Sequence, residues 1–364
     1  MVQNINNRSK RILFVCPYPP NIAAGQRLKF EPHFNVLKRE GYDIKQSCFM
    51  NQRLWHIAYK PGHYTEKIIW TIKGFIERVI LLLTLPKYDT VYIFMNVFPF
   101  GPAILERLFR KIARRIIYDI EDNIISKELN DERRVINLLK SQEKYKFLIK
   151  TADVVITSTP ALSKRCNQIS ASDKSIFIPP TLDDKRFVPR ASSTPKEKLT
   201  IGWPGTFSSK SYLDIVLPYL EALYKERNFK MKIIGNFEMD NPVLDLEVVQ
   251  WNKDDEVQQL QDIDIGLYPL SQDDWVSGKS GLKAMQYMSI GIPAVCTAAG
   301  HVVNIIDDGV DGILVFEESK WTETLKDLID NETKRKVVGE NARKKFLSKY
   351  SIESISKYYL KALG

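Results

Sequence analysis

Short apolar runs separated by amphipathic stretches set the rhythm of the first half of the chain. Lys10 to Cys16, Thr90 to Met95, Ile116 to Ile120, Asp153 to Thr157 and Ser175 to Ile178 are brief and rich in β-branched residues, the pattern of buried strands. Most of the intervals carry apolar positions three and four apart, as helices do. The first interval opens after Pro17, Pro19 and Pro20 with a loop from Asn21 to Gly25. Leu28, Phe30, Phe34 and Leu37 then form an inner helix face, and Gly41 is a C-terminal stop. Strands alternating with helices predict a doubly wound α/β domain.

The composition changes after Leu182, and the polar, Pro-bearing stretch from Asp183 to Lys198 reads as a linker. The same rhythm then resumes. Leu199 to Trp203, Lys230 to Ile234, Val248 to Trp251, Ile263 to Leu267 and Ala294 to Thr297 are strand-like. Ser211 to Lys225, Glu256 to Leu260 and Leu282 to Ser289 are helical. After Trp321 the pattern is helical to the end, with a break near Tyr350 and Ser351. The predicted organisation is therefore a domain over 1–182, a linker over 183–198, a second α/β domain over 199–350 and a last helix over 351–364. No period of 20 to 50 residues recurs, which excludes solenoids and propellers.

A chain of 364 residues is long enough for two cores. Its formal charge of +9 favours anionic partners such as nucleotide diphosphates or an anionic membrane surface. The basic residues are dispersed and no recognition motif appears, so nucleic acid is not expected. Cys16, Cys48, Cys166 and Cys296 form no C-x-x-C pair and predict reduced thiols in a reducing compartment. The start lacks the apolar core of a signal peptide. The most apolar segment, Val79 to Pro86, is too short to span a bilayer. A cytoplasmic protein is expected, at or near the inner membrane face.

Candidate chemistry concentrates in two places. Ser277, Gly278, Lys279, Ser280 and Gly281 open the helix that begins at Leu282. Outward-pointing N–H groups, small residues and the charges of Lys279 and Lys283 make that junction an anion site. In the first half, YDIEDN sets Asp119, Glu121 and Asp122 at the carboxyl end of a strand, where ligands of such sheets bind. Either carboxylate beyond the strand can take a proton, while Asp122 or Asn123 equally suits a helix N-cap and Asp119 suits a structural role. Asp262 and Asp264 open an apolar strand and read as structural. The histidines His33, His56, His63 and His301 show no metal spacing.

The runs GKSGLKAMQYMSIGIPAV and NIIDDGVDGILV resemble the donor-binding region of retaining GT-B glycosyltransferases of family 4, the group 1 glycosyl transferases. RILFVCPYPPNIAAGQRLKFEPHF, ADVVITSTPALSKRCN, SIFIPPTLDDKRFVP and IGWPGTFSSKSYLDIVLPYLEAL are similar to further blocks of that family, in family order. The resemblance implies two facing Rossmann-like domains with an interdomain cleft and a last helix that returns to the first domain. It implies transfer of a sugar from a nucleotide diphosphate to a glycan or lipid-linked acceptor, with no metal and no cofactor. Gly205, Lys210, Gly278, Lys279, Lys283 and Gln286 would bind the donor. Gly25 and Arg27 would form a loop over the phosphates or acceptor, and Asp122 or Glu121 would face the acceptor. Asp307, Asp308, Gly309, Asp311 and Gly312 would shape the donor pocket.

One departure matters. Where relatives carry two glutamates, this chain has Gly278 and Gln286; Gln286 can still bond a ribose hydroxyl. A nucleotide-sugar 2-epimerase and an inactive donor-binding or scaffold subunit are the rival readings. Tyr64 to Leu85 and Leu108 to Ile116 mix apolar and basic residues, which suits peripheral contact with an anionic membrane and equally suits core packing.

Overall fold

The computed structural model describes residues 9–58, 60–121, 124–125, 143–191 and 197–364. The chain divides into two compact units: Met1–Pro179 with Ser356–Gly364, and Pro180–Ile355.

The first unit is built on a parallel sheet in the order β2-β1-β3-β4-β5-β6. Its strands are β1 (Lys10–Cys16), β2 (Tyr42–Cys48), β3 (Thr90–Phe94), β4 (Ile116–Ile120), β5 (Val154–Thr157) and β6 (Ser175–Phe177). From β1 the chain moves outward to β2, then returns to lay β3 on the other side of β1. That reversal is a topological switch point, where neighbouring loops diverge and leave a crevice at the carboxyl ends. The single helix expected after Gly25 is broken into Ala24–Arg27, a 3-10 turn at Glu31–His33 and Phe34–Arg39. Pro32 sits at the break, and proline removes a donor that a continuous helix would use.

Helix Tyr64–Leu82 is anchored by a charge. Arg78 is buried and donates to Val97 O at 2.9 Å, Cys16 O at 2.9 Å and Ser47 Oγ at 2.6 Å. A Cβ on Gly74 of the same helix would collide with Phe49, so glycine permits the close approach. Replacing Arg78 by methionine leaves buried carbonyls without a donor. Urea denaturation should show a loss of about 3 kcal/mol; a loss below about 0.5 kcal/mol, the scale of a surface change, would contradict this anchoring.

The next helix runs from Ile104 to Ile112, not from Leu108 to Ile116 as the basic pattern suggested, because Ile116 is already the first residue of β4. The C-terminal helix Ile352–Leu363 contributes Ser356 onward to the first unit. His33 Nδ1 and Ser356 Oγ are 2.7 Å apart, and Arg115 donates to Ala362 O at 2.8 Å.

The second unit repeats the architecture with the order β12-β11-β10-β7-β8-β9. Its strands are β7 (Leu199–Pro204), β8 (Phe229–Gly235), β9 (Leu246–Gln250), β10 (Ile265–Tyr268), β11 (Ala294–Thr297) and β12 (Ile313–Val315). Here the reversal lies between β7 and β10, which pair directly. Buried Tyr287 seats helix Leu282–Ser289 across these two strands by donating to Gly202 O and Leu267 O, at 3.0 and 2.9 Å. Gly266 leaves room for its ring, since a Cβ there would overlap it. The helix's N-terminal end is thereby held at the reversal.

Asp262 and Asp264 are structural, as their strand position suggested. Lys232 pairs with Asp262 at 2.6 Å, while Asp264 accepts from Thr200 N at 2.8 Å and pairs with Arg190 at 2.9 Å. Lys345 pins the turn near Gly309 by pairing with Asp307 and Asp311 at 2.9 and 2.8 Å. The terminal helical region has one more break than the pattern showed. Asn331 ends Trp321–Asp330 and caps Glu332–Lys349 by accepting from Lys334 N at 2.9 Å.

Candidate active site

At the β7/β10 reversal two loops meet. After β7, Gly205 donates to Ile234 O at 2.8 Å, and a Cβ at this position would overlap the Trp203 ring. Glycine is therefore needed by its own neighbour as much as by any ligand. Thr206 and Ser209 form a capping box ahead of helix Lys210–Tyr224. After β10, Asp273 caps the 3-10 turn Asp274–Gly278. Lys279 is extended, and Gly281, at φ 78°, is the N-cap of helix Leu282–Ser289. That left-handed turn suits glycine and exposes the first N–H groups of the helix without a side-chain cap.

Lys283, in the first turn, lies with Nζ 4.5 Å from the Trp203 ring centroid and 5.6 Å from that of Tyr268. The half-buried Lys283 therefore bridges the ends of β7 and β10. Burial of the amine lowers its pKa to about 7, and the like charge of Lys279 adds to the shift. Lys279 itself lies over the Trp275 ring, 5.5 Å from its centroid. These two lysines, the uncapped helix end and the Gly205 turn make a cationic mouth suited to an anion.

The other predicted donor residues are placed differently. Lys210 pairs with Asp214 at 2.7 Å across one helical turn, so its amine would have to exchange partners to meet a phosphate. Gln286 is buried, with Nε2 3.5 Å from Glu256 Oε1, and Glu256 in turn lies 3.5 Å from Arg186. Nothing in the sequence pattern links Arg186 and Glu256 to this helix, because they lie about 30 to 100 positions away and come together only through the fold. Gly278 is buried at the end of its turn.

In the first unit, Glu121 and Gly25 are brought together at the carboxyl ends of the strands. A Cβ on Gly25 would overlap Glu121 Oε2 and crowd the Phe94 ring. Asp122 and Asn123 lie outside the described residues. Arg27 is buried. Asp119 is fully buried and takes Lys29 and Tyr92 as partners. Burial raises its carboxyl pKa while Lys29 opposes the rise. It is a core ion pair, in line with its inward position.

A cavity of about 400 Å³ also opens beside β1 and β2, lined by Pro19, Gln46, Cys48, Asn51, Trp70 and Glu77 among others. The register of β1 on β2 sets Cys16 opposite Cys48, with their sulfurs 3.5 Å apart as free thiols, a proximity that spacing alone does not reveal. A second cavity, of about 390 Å³ along β12, includes Asp308 of the Asp307–Gly312 turn in its lining but neither Lys279 nor Lys283. Among the described residues, no three His, Cys, Asp or Glu side chains converge to hold a metal ion.

Residues 184–345 match the family model for glycosyl transferases group 1. That stretch, within the second unit, is similar to a group 1 glycosyl transferase domain. Both loops of the cationic mouth lie inside it. The D-inositol 3-phosphate glycosyltransferase of Corynebacterium kroppenstedtii is 39% identical over 64 residues, 17% of this chain and 14% of that protein. An uncharacterised glycosyltransferase of Methanocaldococcus jannaschii is 27% identical over 161 residues, 41% of this chain and 43% of that protein. The chain thus spans less than half the length of these curated relatives in its matches.

Likeness to solved structures extends over both units. Anabaena HepE in complex with UDP-glucose superposes with a TM-score of 0.68 at 14% identity, covering 97% of this chain and 99% of that one. Sucrose-phosphate synthase from Thermosynechococcus elongatus gives 0.68 at 13% identity, covering 97% and 98%. At such identities the fold alone is shared, and that fold is GT-B. The fold class implied by the resemblance is borne out.

Proposed function

We propose that the chain is a retaining glycosyltransferase of the family 4 type, moving a sugar from a nucleotide diphosphate to a glycan or lipid-linked acceptor in surface polysaccharide synthesis. The observation that carries this reading is the pair Lys279 and Lys283 at an uncapped helix end, on the β7/β10 reversal of a unit similar to a group 1 domain. In this reaction the acceptor oxygen bonds to the anomeric carbon as the bond from that carbon to the diphosphate breaks. The leaving diphosphate gains negative charge, which the two lysines and the helix end stabilise. Lys210 joins them if it leaves Asp214. Gln286 reaches the ribose on exchanging Glu256 for it, and Glu121 or Asp122 receives the acceptor proton.

The binding of UDP-glucose by HepE, a structural relative, supports a nucleotide-sugar donor. Cationic side chains here take the role that Mg²⁺ fills in other sugar transferases, so turnover should persist in EDTA. The test is a thermal-shift panel of UDP-, GDP- and ADP-sugars, followed by turnover of the stabilising donor with and without EDTA. A donor at a hundredfold excess over Kd adds about 2.7 kcal/mol of stability. Stabilisation by none of them, or activity abolished by EDTA and restored by Mn²⁺, would contradict the donor site or its metal independence respectively. Gly278 and Gln286, lacking carboxylates, favour a donor-binding subunit as the second reading. Binding without turnover on any acceptor would select it.

A further inference from the structure

Helix Tyr64–Leu82 is oriented the reverse of an ordinary surface helix. Its inner stripe is narrow, with Gly74, Arg78 and Leu81 as its buried residues. Ile68, Ile69, Ile72, Ile76, Ile80 and Leu83, by contrast, are open to solvent, Ile69 at 59% and Leu83 at 80%. A packed core does not account for these positions. The patch continues sideways through ring contacts, Phe75 to Phe98 at 5.3 Å and Phe98 to Phe100 at 5.7 Å, toward exposed Ile104 and Leu108 of the next helix. Contiguous apolar surface of this size marks an interaction site.

We infer that this two-helix face docks on an anionic lipid surface. Basic side chains accompany it: Lys67 and Lys73 on the first helix, and exposed Arg107 and Lys111 on the second. Lys67 lies 5.7 Å from the ring centroid of exposed Tyr64, and Lys73 lies 4.8 Å from that of Trp70. Aromatic rings beside long cationic stems are the residues that settle at headgroup level over an apolar layer. A second copy of the chain fits less well, because a two-fold contact would press the same basic residues against one another. No helix among the described residues is long and apolar enough to cross a membrane, so the face lies on the bilayer. Trp70 and Glu77 of the same helix also line the cavity beside β2. A lipid-anchored acceptor would therefore meet that cavity at the surface; this last step rests on the glycosyltransferase reading, whereas docking does not.

The test is co-sedimentation with vesicles of phosphatidylcholine, alone and mixed with phosphatidylglycerol. Wild-type protein should bind the mixed vesicles more strongly, and the preference should shrink with salt. Ile72→Glu with Ile76→Glu, both exposed and in the first unit, whereas Lys279 and Lys283 belong to the second, should lower partitioning by about tenfold or more. Circular dichroism and nucleotide-sugar affinity should stay unchanged. Arg107→Glu with Lys111→Glu should remove the anionic preference and leave weak binding to neutral vesicles. Wild-type protein that stays in solution with both vesicles, or an Ile72/Ile76 variant that partitions as the wild type does, would overturn the inference. So would a dimer, seen by light scattering, that the isoleucine substitutions split.

Discussion

Replacing Lys283 by methionine should weaken binding of the nucleotide sugar by about tenfold to a hundredfold, the scale of one charge-assisted hydrogen bond to a phosphate. The apolar stem is kept, so packing against Trp203 and Tyr268 survives and the protein should fold. A second signature separates this role from general damage. With a pKa of about 7 in the free protein, the amine is only partly protonated near neutrality. A bound diphosphate favours the protonated form and raises that pKa, so binding takes up a proton. Affinity should therefore be greatest below pH 7 and fall as the pH rises through 7 toward the raised, bound-state value. A nucleotide sugar is the right probe, because it lacks the phosphate monoester that titrates near pH 6. Calorimetry in buffers of different ionisation enthalpy should show proton uptake for the wild type and none for Lys283→Met. Equal affinity in the two proteins, or identical proton uptake, would remove Lys283 from the donor site.

What the sequence revealed and concealed follows from how each signal arises. Buried strands such as β1 and β4 are continuous apolar runs, since both faces are covered, and their limits were read to the residue. The edge strand β2, Tyr42–Cys48, alternates between exposed and half-buried positions, and its polar sequence carries no such run. Helix Leu282–Ser289 was legible at both ends because Gly281 and Gly291 bracket it, each at positive φ. The opposite held for helix Tyr64–Leu82, where the apolar stripe points outward and the deepest side chain is Arg78. Hydrophobicity there gives the helix but not its orientation.

The site was legible in the same uneven way. Lys279 and Lys283 are close in sequence and their helix fixes their proximity. Trp203 beneath Lys283, and Glu256 against Gln286, depend on pairings between distant segments. Lys210 shows the converse, because its motif position says phosphate while its nearest carboxylate, Asp214, is one turn along the same helix.

Glu121→Gln should lower kcat by about 10²-fold while leaving nucleotide-sugar affinity nearly unchanged, if that carboxylate takes the acceptor's proton. The amide keeps the side chain's size and removes only its basicity. Gly25 supplies an independent probe. A methyl group at this position meets the far end of the Glu121 side chain, which can swing aside, so Gly25→Ala should cost little stability and displace the carboxylate. Its kcat should fall in the same direction, and the Gly25→Ala, Glu121→Gln double variant should be little worse than Glu121→Gln alone, since both changes act through one group. Steady-state kinetics and calorimetry on the three proteins decide the matter. Additive losses would mean that Gly25 acts on something other than Glu121. Normal turnover by Glu121→Gln would shift the role to Asp122, whose Asp122→Asn variant should then carry the 10²-fold loss. Normal turnover by both would leave the acceptor proton to a group outside this pair.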